Sequence, residues 1–306
     1  MSGSRPSVPL GVVGGARLDG EKRTAVRRAV LSFGRVGLRS FPWRDTRNPW
    51  AILVSEVMLQ QTSPARVLDA YRLFLRRFPS VLACSAAPGG DVVRAWAGLG
   101  YNRRALNLHR AATVIVEQHG GLVPSDLEAL CALPGIGPYT ARAVLAFAFE
   151  ADVAVVDVNV ARVIARAFAG DPISTGQAQV IADALVPRGR GWLWNQSLME
   201  IGALLCTARA PRCELCPLAS VCTWAARERP SPDPAAARSK QSAFVGSDRQ
   251  GRGRLVNALR EGPVTRRELA AACGWPDDAG RACRVADSLV TEGLARRRSG
   301  GVLTLP

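Results

Sequence analysis

Four cysteines carry the most specific chemistry in the chain. Cys206, Cys213, Cys216 and Cys222 form a C-x6-C-x2-C-x5-C array within 17 residues. A C-x2-C core bends the backbone so that two sulfurs face one centre, and Pro211 and Pro217 stiffen the loop around it. Four thiolates make a soft tetrahedral donor set that suits zinc or an iron–sulfur cluster. Spacing does not separate the two. Cys84, Cys131, Cys273 and Cys283 lack any such spacing and read as small core residues.

Two carboxylates and a glycine turn stand out next. Asp157 closes the apolar stretch Val153–Val156 and precedes a helix that contains Arg162. From the pattern alone, an acid there reads first as a cap for that helix. Glu56, in Ser55-Glu-Val-Met-Leu-Gln-Gln-Thr62, shares a helical side with Leu59 and Gln60. A charge on such a side is neutralised, paired or set at a pocket. Paired acids in different environments are what C–N glycosidic cleavage requires, one protonating the leaving group and one stabilising an oxocarbenium-like sugar. Leu133-Pro-Gly-Ile-Gly-Pro-Tyr-Thr140 joins two helices, and its Gly135 and Gly137 allow a tight turn. The exposed N–H groups of such a turn, at a helix start, can bind one phosphate, although a turn of this kind can also be purely structural.

The elements that must position these residues are helices. Residues 1–20 are rich in Gly, Ser and Pro and read as disordered, after which Glu21 opens an amphipathic helix. Periodicity predicts helices at 50–61, 64–77, 91–97, 102–118, 125–132, 138–149, 159–168, 176–186 and 193–206, with a Ser125/Glu128 capping box starting one of them. Only Val153–Val156 looks strand-like. A Pro- and Ala-rich stretch reads as a linker, 225–245, and is followed by helices at 249–260, 265–273 and 278–293 and a hairpin of 294–298 with 302–305. That order predicts a small winged-helix-like domain over 246–306.

Composition agrees with a basic globular protein. Apolar residues make up 48% of 306, enough for a real core, and the formal charge is +15. Basic residues exceed acidic ones by 25 to 16 in 1–224 and by 15 to 9 in 225–306. Such a surface attracts nucleic acid, although an Arg bias from GC-rich coding also fits, since only Lys22 and Lys240 are lysines. No apolar run is long enough to span a bilayer, and the opening residues lack the pattern of an export signal. The expectation is a cytoplasmic, nucleoid-associated protein without disulfides.

Together these motifs resemble the endonuclease III group of helix-hairpin-helix DNA glycosylases, over about 21–224. The cysteine array after an apolar helix is similar to that family's cluster loop at 206–222, which implies a [4Fe–4S] cofactor with Arg209 and Arg212 presented to phosphates. LPGxGxxTA resembles its DNA-holding hairpin, which implies phosphate contacts at Gly135 and Gly137. The segment around Asp157 resembles the one carrying the essential Asp. Tyr139 occupies the position of the Schiff-base lysine in lyase members, so the resemblance implies a monofunctional enzyme. VSEVMLQQT is similar to the signature of the MutY-type adenine glycosylases, whose Glu protonates N7 of the flipped base, and so implies Glu56 as the acid. The same likeness implies Trp43 and Arg44 beside the base, Leu59 in the pocket segment, Glu200 against adenine, and Gln61 and Tyr101 in the stack around the opposite base.

The expected fold is therefore mainly α, a two-lobed glycosylase fold with a cluster loop and a small C-terminal domain. The expected partner is duplex DNA containing A:8-oxoguanine or A:G, bound by a monomer that makes no membrane contact. Two departures stand out. Only about 60 residues follow the linker, where many MutY-type enzymes continue into a large Nudix-like domain, a short form resembling actinobacterial members. Asn102 replaces the second Tyr of the family's GLGYY segment. The alternatives are a thymine-specific relative, against which Glu56 argues, and a non-catalytic DNA-binding protein that keeps the cluster.

Overall fold

The computed structural model describes residues 20–235 and 243–306. Apart from Gly20, the segment expected to be disordered lies outside the described residues, as does 236–242 of the linker. The chain begins with α1 (Gly20–Gly37), which buries Val26, Val30 and Gly34 at four-residue spacing. A 3₁₀ turn, Pro42–Arg44, leads to α2 (Pro49–Leu59), started by Pro49 and by the Asn48 side chain, which accepts from the Ala51 N–H at 3.0 Å. This helix ends two residues before 61, because Gln60 leaves helical ψ and Gln61 takes a left-handed φ of 55°. Every residue from Trp50 to Met58 is buried, so α2 is a central rod without a polar stripe, and Glu56 is carried inward with it.

Next come α3 (Pro64–Arg77), α4 (Val81–Ser85), α5 (Gly89–Ala95) and α6 (Arg103–His119), which ends on a left-handed Gly120. The five residues of α4 are too few to register as periodicity. Asp126, not Ser125, caps α7 (Leu127–Ala132), accepting from the Ala129 N–H at 2.8 Å, so the expected capping box is not the one used. The glycine turn then feeds α8 (Pro138–Ala148). Val153–Val156 is not a strand: the Asn195 side chain pairs with the Val155 N–H and the Val153 carbonyl, satisfying backbone groups that a sheet would have used. The helices α9 (Val158–Ile164), α10 (Thr175–Leu185) and α11 (Gly191–Glu200) follow. Wide π turns prolong α9 through Ala165–Ala169 and α11 through Ile201–Leu205. The short α12 (Thr223–Ala226) lies just after the fourth cysteine of the array.

The C-terminal segment folds in the expected order. Its helices are α13 (Asp248–Glu261), α14 (Leu269–Cys273) and α15 (Ala279–Thr291). They are followed by the antiparallel pair β1 (Arg296–Arg297) and β2 (Leu303–Thr304), with Val264 bridging to Leu303 on the other side. Trp275 packs so closely on α13 that a Cβ at Gly251 would stand 2.1 Å from its ring.

Two compact units result, one formed by 20–40 with 145–235 and the other by 41–144 with 243–306. The first is a cluster of α1, α9, α10 and α11 around Phe168, Trp194 and Ile201, against which Cys206, Cys216 and Cys222 pack. The second is centred on Trp96, packed edge-on against Phe74, and the C-terminal segment is built into it. Arg260 of α13 donates to the Asn102 Oδ1 at 2.7 Å and to the Val93 carbonyl at 3.1 Å, and the Gly90 N–H donates to the Pro306 carbonyl at 2.8 Å. No helix among the described residues is long and apolar enough to cross a membrane.

Candidate functional site

Within the second unit, α2 and α8 bring together two of the expected reactive side chains. Glu56 is 5% exposed, and the Tyr139 hydroxyl donates to its Oε2 at 3.4 Å. One residue further along α8, the Thr140 hydroxyl accepts from Gln60 Nε2 at 3.1 Å, which ties the two helices side by side. Trp43 is buried, stacked on Phe41 at 5.0 Å and edge-on to Tyr71, while the Arg44 guanidinium lies over Phe41. Trp43 is thus mainly a packing aromatic that fixes the start of α2, and Leu59 is half-buried at its end. In the glycine turn Gly135 has φ +76°, and a Cβ there would meet Asn107 at 2.7 Å, so only glycine fits. Gly135, Gly137 and Pro138 are exposed at the start of α8, the geometry of an anion site.

Gln61 and Tyr101 share a cavity wall. Both non-glycine residues have left-handed φ, 55° and 45°, and Tyr101 is 47% exposed. What holds these strained tips is Arg104, which sequence reasoning missed. Its guanidinium is buried and donates to the carbonyls of Val57, Met58 and Gln60, to the Thr62 hydroxyl, and to the carbonyls of Leu99 and Gly100. Burial pushes its pKa down to about 10, opposed by the nearby Tyr101. One cation therefore closes the end of α2 and the 98–102 loop at once.

Asp157 belongs to the first unit, and there it does what the bare pattern implied. Its Oδ1 caps α9 by accepting from the Val160 N–H at 2.7 Å. Its Oδ2 is engaged as well, accepting from Asn159 Nδ2 at 2.9 Å. Asn159 in turn accepts from Arg162, which also donates to the Gly202 carbonyl at 2.7 Å and to the Cys206 carbonyl at 2.6 Å. A chain of three side chains thus links the carboxylate to the first cysteine. A Cβ on Gly202 would meet Asn159 at 2.8 Å, so the close approach needs glycine. Glu200 is sealed from solvent and ion-paired with Arg39 at 2.8 Å, a partner the sequence did not suggest.

Cys206, Cys213, Cys216 and Cys222 line one small cavity, walled also by Val163, Leu205, Leu218 and Trp224. Burial raises the Cys216 thiol to about 11 and raises Cys222 also. Arg166, 1% exposed, lies over Trp224 and donates to the Cys206 Sγ at 3.4 Å and to the loop carbonyls of Thr207 and Ala208. Burial alone would lower its pKa, but hydrogen bonds to Asp233 and Cys206 outweigh that and raise it. The four cysteines line one cavity beside the buried Arg166 guanidinium, a soft thiolate donor set with a neighbouring positive charge of the kind an iron–sulfur cluster takes. In the loop Arg209 is exposed, whereas Arg212 turns back to donate to the Leu204 carbonyl.

Comparison with known proteins gives a consistent result. Residues 54–188 match the model of the HhH-GPD superfamily base excision DNA repair protein, and residues 206–222 match the iron-sulfur binding domain of endonuclease III. The cofactor is accordingly a [4Fe–4S] cluster. The chain is 47% identical to an adenine DNA glycosylase of Mycobacterium tuberculosis over 90% of its own length and 92% of that protein's. It is 44% identical to the adenine DNA glycosylase of Mycolicibacterium smegmatis over 90% and 94%. Among solved structures it is similar to a thermostable thymine-DNA glycosylase, with TM-score 0.65 and 32% identity over 68% of this chain and 98% of that one. A non-covalent endonuclease III–DNA complex, at 22% identity and TM-score 0.58 over 67% and 97%, shares the fold.

Proposed function

Because the chain belongs to the HhH-GPD superfamily of base excision DNA repair proteins, we propose that it is a monofunctional adenine DNA glycosylase acting on adenine opposite 8-oxoguanine or guanine. The observation that carries this reading is the buried Glu56 with the Tyr139 phenol on its Oε2. A carboxyl removed from water holds a proton more readily, and a general acid must deliver one to a poor leaving base. Extruded adenine would receive that proton from Glu56, with Tyr139 orienting the carboxyl. Asp157 would stabilise the sugar cation and guide water to it, its orientation fixed by the Val160 N–H and Asn159. A phenol forms no Schiff base, and with Lys22 and Lys240 the only lysines, strand cleavage by that route has no amine at position 139.

Binding is assigned to the exposed turn at Gly135 and Gly137 and to Arg209 of the cysteine loop, all through phosphates and so without sequence preference. The cluster, held by Cys206, Cys213, Cys216 and Cys222, supplies the fold of that loop. The test is single-turnover incubation with duplexes carrying A or T opposite G or 8-oxoguanine, with and without alkali. Alkali-dependent breakage at adenine alone is expected. Breakage at thymine opposite G would replace adenine with thymine as the target, and breakage without alkali would refute the monofunctional assignment.

A further inference from the structure

The stretch 225–245 reads as a linker, yet its first part is pinned to one wall of the cysteine cavity. Trp224 forms part of that wall and is buried, with the Arg166 guanidinium 4.7 Å from its ring centroid. The Trp224 indole N–H donates to the Pro230 carbonyl at 3.1 Å, and its own carbonyl accepts from the Arg229 N–H at 2.9 Å, so 224–230 closes on itself. Asp233 then meets Arg166 with both oxygens. Arg166 Nε donates to Oδ1 at 3.0 Å and Nη2 donates to Oδ2, while Oδ1 also accepts from the Ala235 N–H at 2.9 Å. The next residue, Pro234, is buried. Just before Trp224, the Thr223 hydroxyl donates to the Ala167 carbonyl at 3.1 Å, and Gly170 leaves room for that approach, since a Cβ there would stand 2.7 Å from the Thr223 methyl.

Arg166 is thus the point where both ends of the cysteine loop meet. At the start of the loop it donates to the Cys206 Sγ at 3.4 Å and to the carbonyls of Thr207 and Ala208 at 2.8 and 3.2 Å, and beyond the end of the loop it holds Asp233. The rigid fork of a guanidinium can serve all of these acceptors at once, which an ammonium cannot. A cation this deeply buried needs counter-charge. Cys206 supplies it on one edge and Asp233 on another, so two anions share one cation. We propose that 224–235 is a latch that shields the [4Fe–4S] cluster, and that Asp233, acting through Arg166, is the positioning residue that locks it. Without that carboxylate the segment beyond Pro230 loses its charged tie, and the charge of Arg166 is directed at the cluster sulfurs alone. Cluster potentials follow net charge, hydrogen bonds to sulfur and solvent exposure, so iron retention and reduction potential both report on the lock.

Three variants of the full-length holoprotein test this. Asp233→Asn keeps the shape of the side chain and removes its charge. Asp233→Glu keeps the charge on a longer arm. Ile181→Val, a core change in the same unit that makes none of these bonds, is the control for general stability. Transfer of iron to an excess of chelator in air would be followed by visible absorbance, and the midpoint potential of the cluster would be titrated. Asp233→Asn should lose iron about tenfold faster than the parent. Its potential should move to more positive values, because a cation no longer offset favours the reduced cluster. Asp233→Glu should fall between the two on both measurements, and Ile181→Val should match the parent. Iron loss from Asp233→Asn at the parent rate, or an unmoved potential, would overturn the latch. Equal acceleration in Ile181→Val would overturn it as well, by tracing the loss to general stability.

Discussion

The two compact units hold their reactive groups in different ways. Around Asp157 the polar groups form a relay to the cysteine loop at 2.6–2.9 Å, in which Arg162 donates to Asn159 and to the Gly202 and Cys206 carbonyls and Asn159 donates to the carboxylate. Around Gln61 and Tyr101 the backbone itself is strained, and one buried cation, Arg104, supplies most of the restraint. The relay fixes the angle of a carboxylate. The arginine post instead keeps two exposed tips in a conformation they would otherwise leave. Redundant hydrogen bonds fix the angle of one side chain, whereas a single strong anchor holds the backbone shape of an exposed loop.

This contrast can be broken by substitution. The largest effect on reaction should come from Glu56→Gln and Asp157→Asn, which should each lower single-turnover base release by about 10² to 10⁴, with duplex binding within a few-fold of the parent. Equal rates would remove both from the mechanism. Arg104→Ala should lower stability by about 3 kcal/mol, read from the denaturant midpoint, because several buried carbonyls lose a charged donor together. Arg104→Lys should recover little of it, since an ammonium cannot span two loops. A smaller change is expected of Asn159→Ala: about tenfold slower base release with iron content and duplex affinity retained. If affinity falls while the rate holds, the relay serves binding instead.

The smallest effect concerns acid. Arg166 holds Asp233 below its ordinary range, and the contact is partly exposed. A depressed folded value means the contribution is complete above the unfolded carboxylate pKa of about 3.9 and is lost as pH falls through the folded one. The gap in thermal midpoint between the parent and Asp233→Asn should therefore be constant near neutrality and narrow below about pH 4. A gap that widens in acid would contradict this assignment.

Helices of ten residues or more were legible because their apolar spacing is local information, and their ends shifted by about two residues where a cap or a left-handed residue decided. The capping acid at 157 and the buried acid at 56 could be read from neighbouring residues. Arg104 and Arg166 could not: Arg166 is a lone charge in the apolar run Val163–Ala169, which is the signal that would have found it, whereas Arg104 follows Arg103 among polar neighbours and carries no such mark. Asn102 was visible as a departure but had no meaning until Arg260 was seen beside it.

By itself the sequence determined the helical class, the cysteine array, the glycine turn and the two acids, since each depends on residue types at short spacing. Tertiary structure alone decided that Glu56 meets Tyr139 across 83 residues, that Asp157 is tied to the cysteine loop, and that the C-terminal segment walls a basic cavity with the loop of Tyr101. Those pairings are set by packing between distant elements, and hydrophobic periodicity says which face of a helix is buried but not what it is buried against.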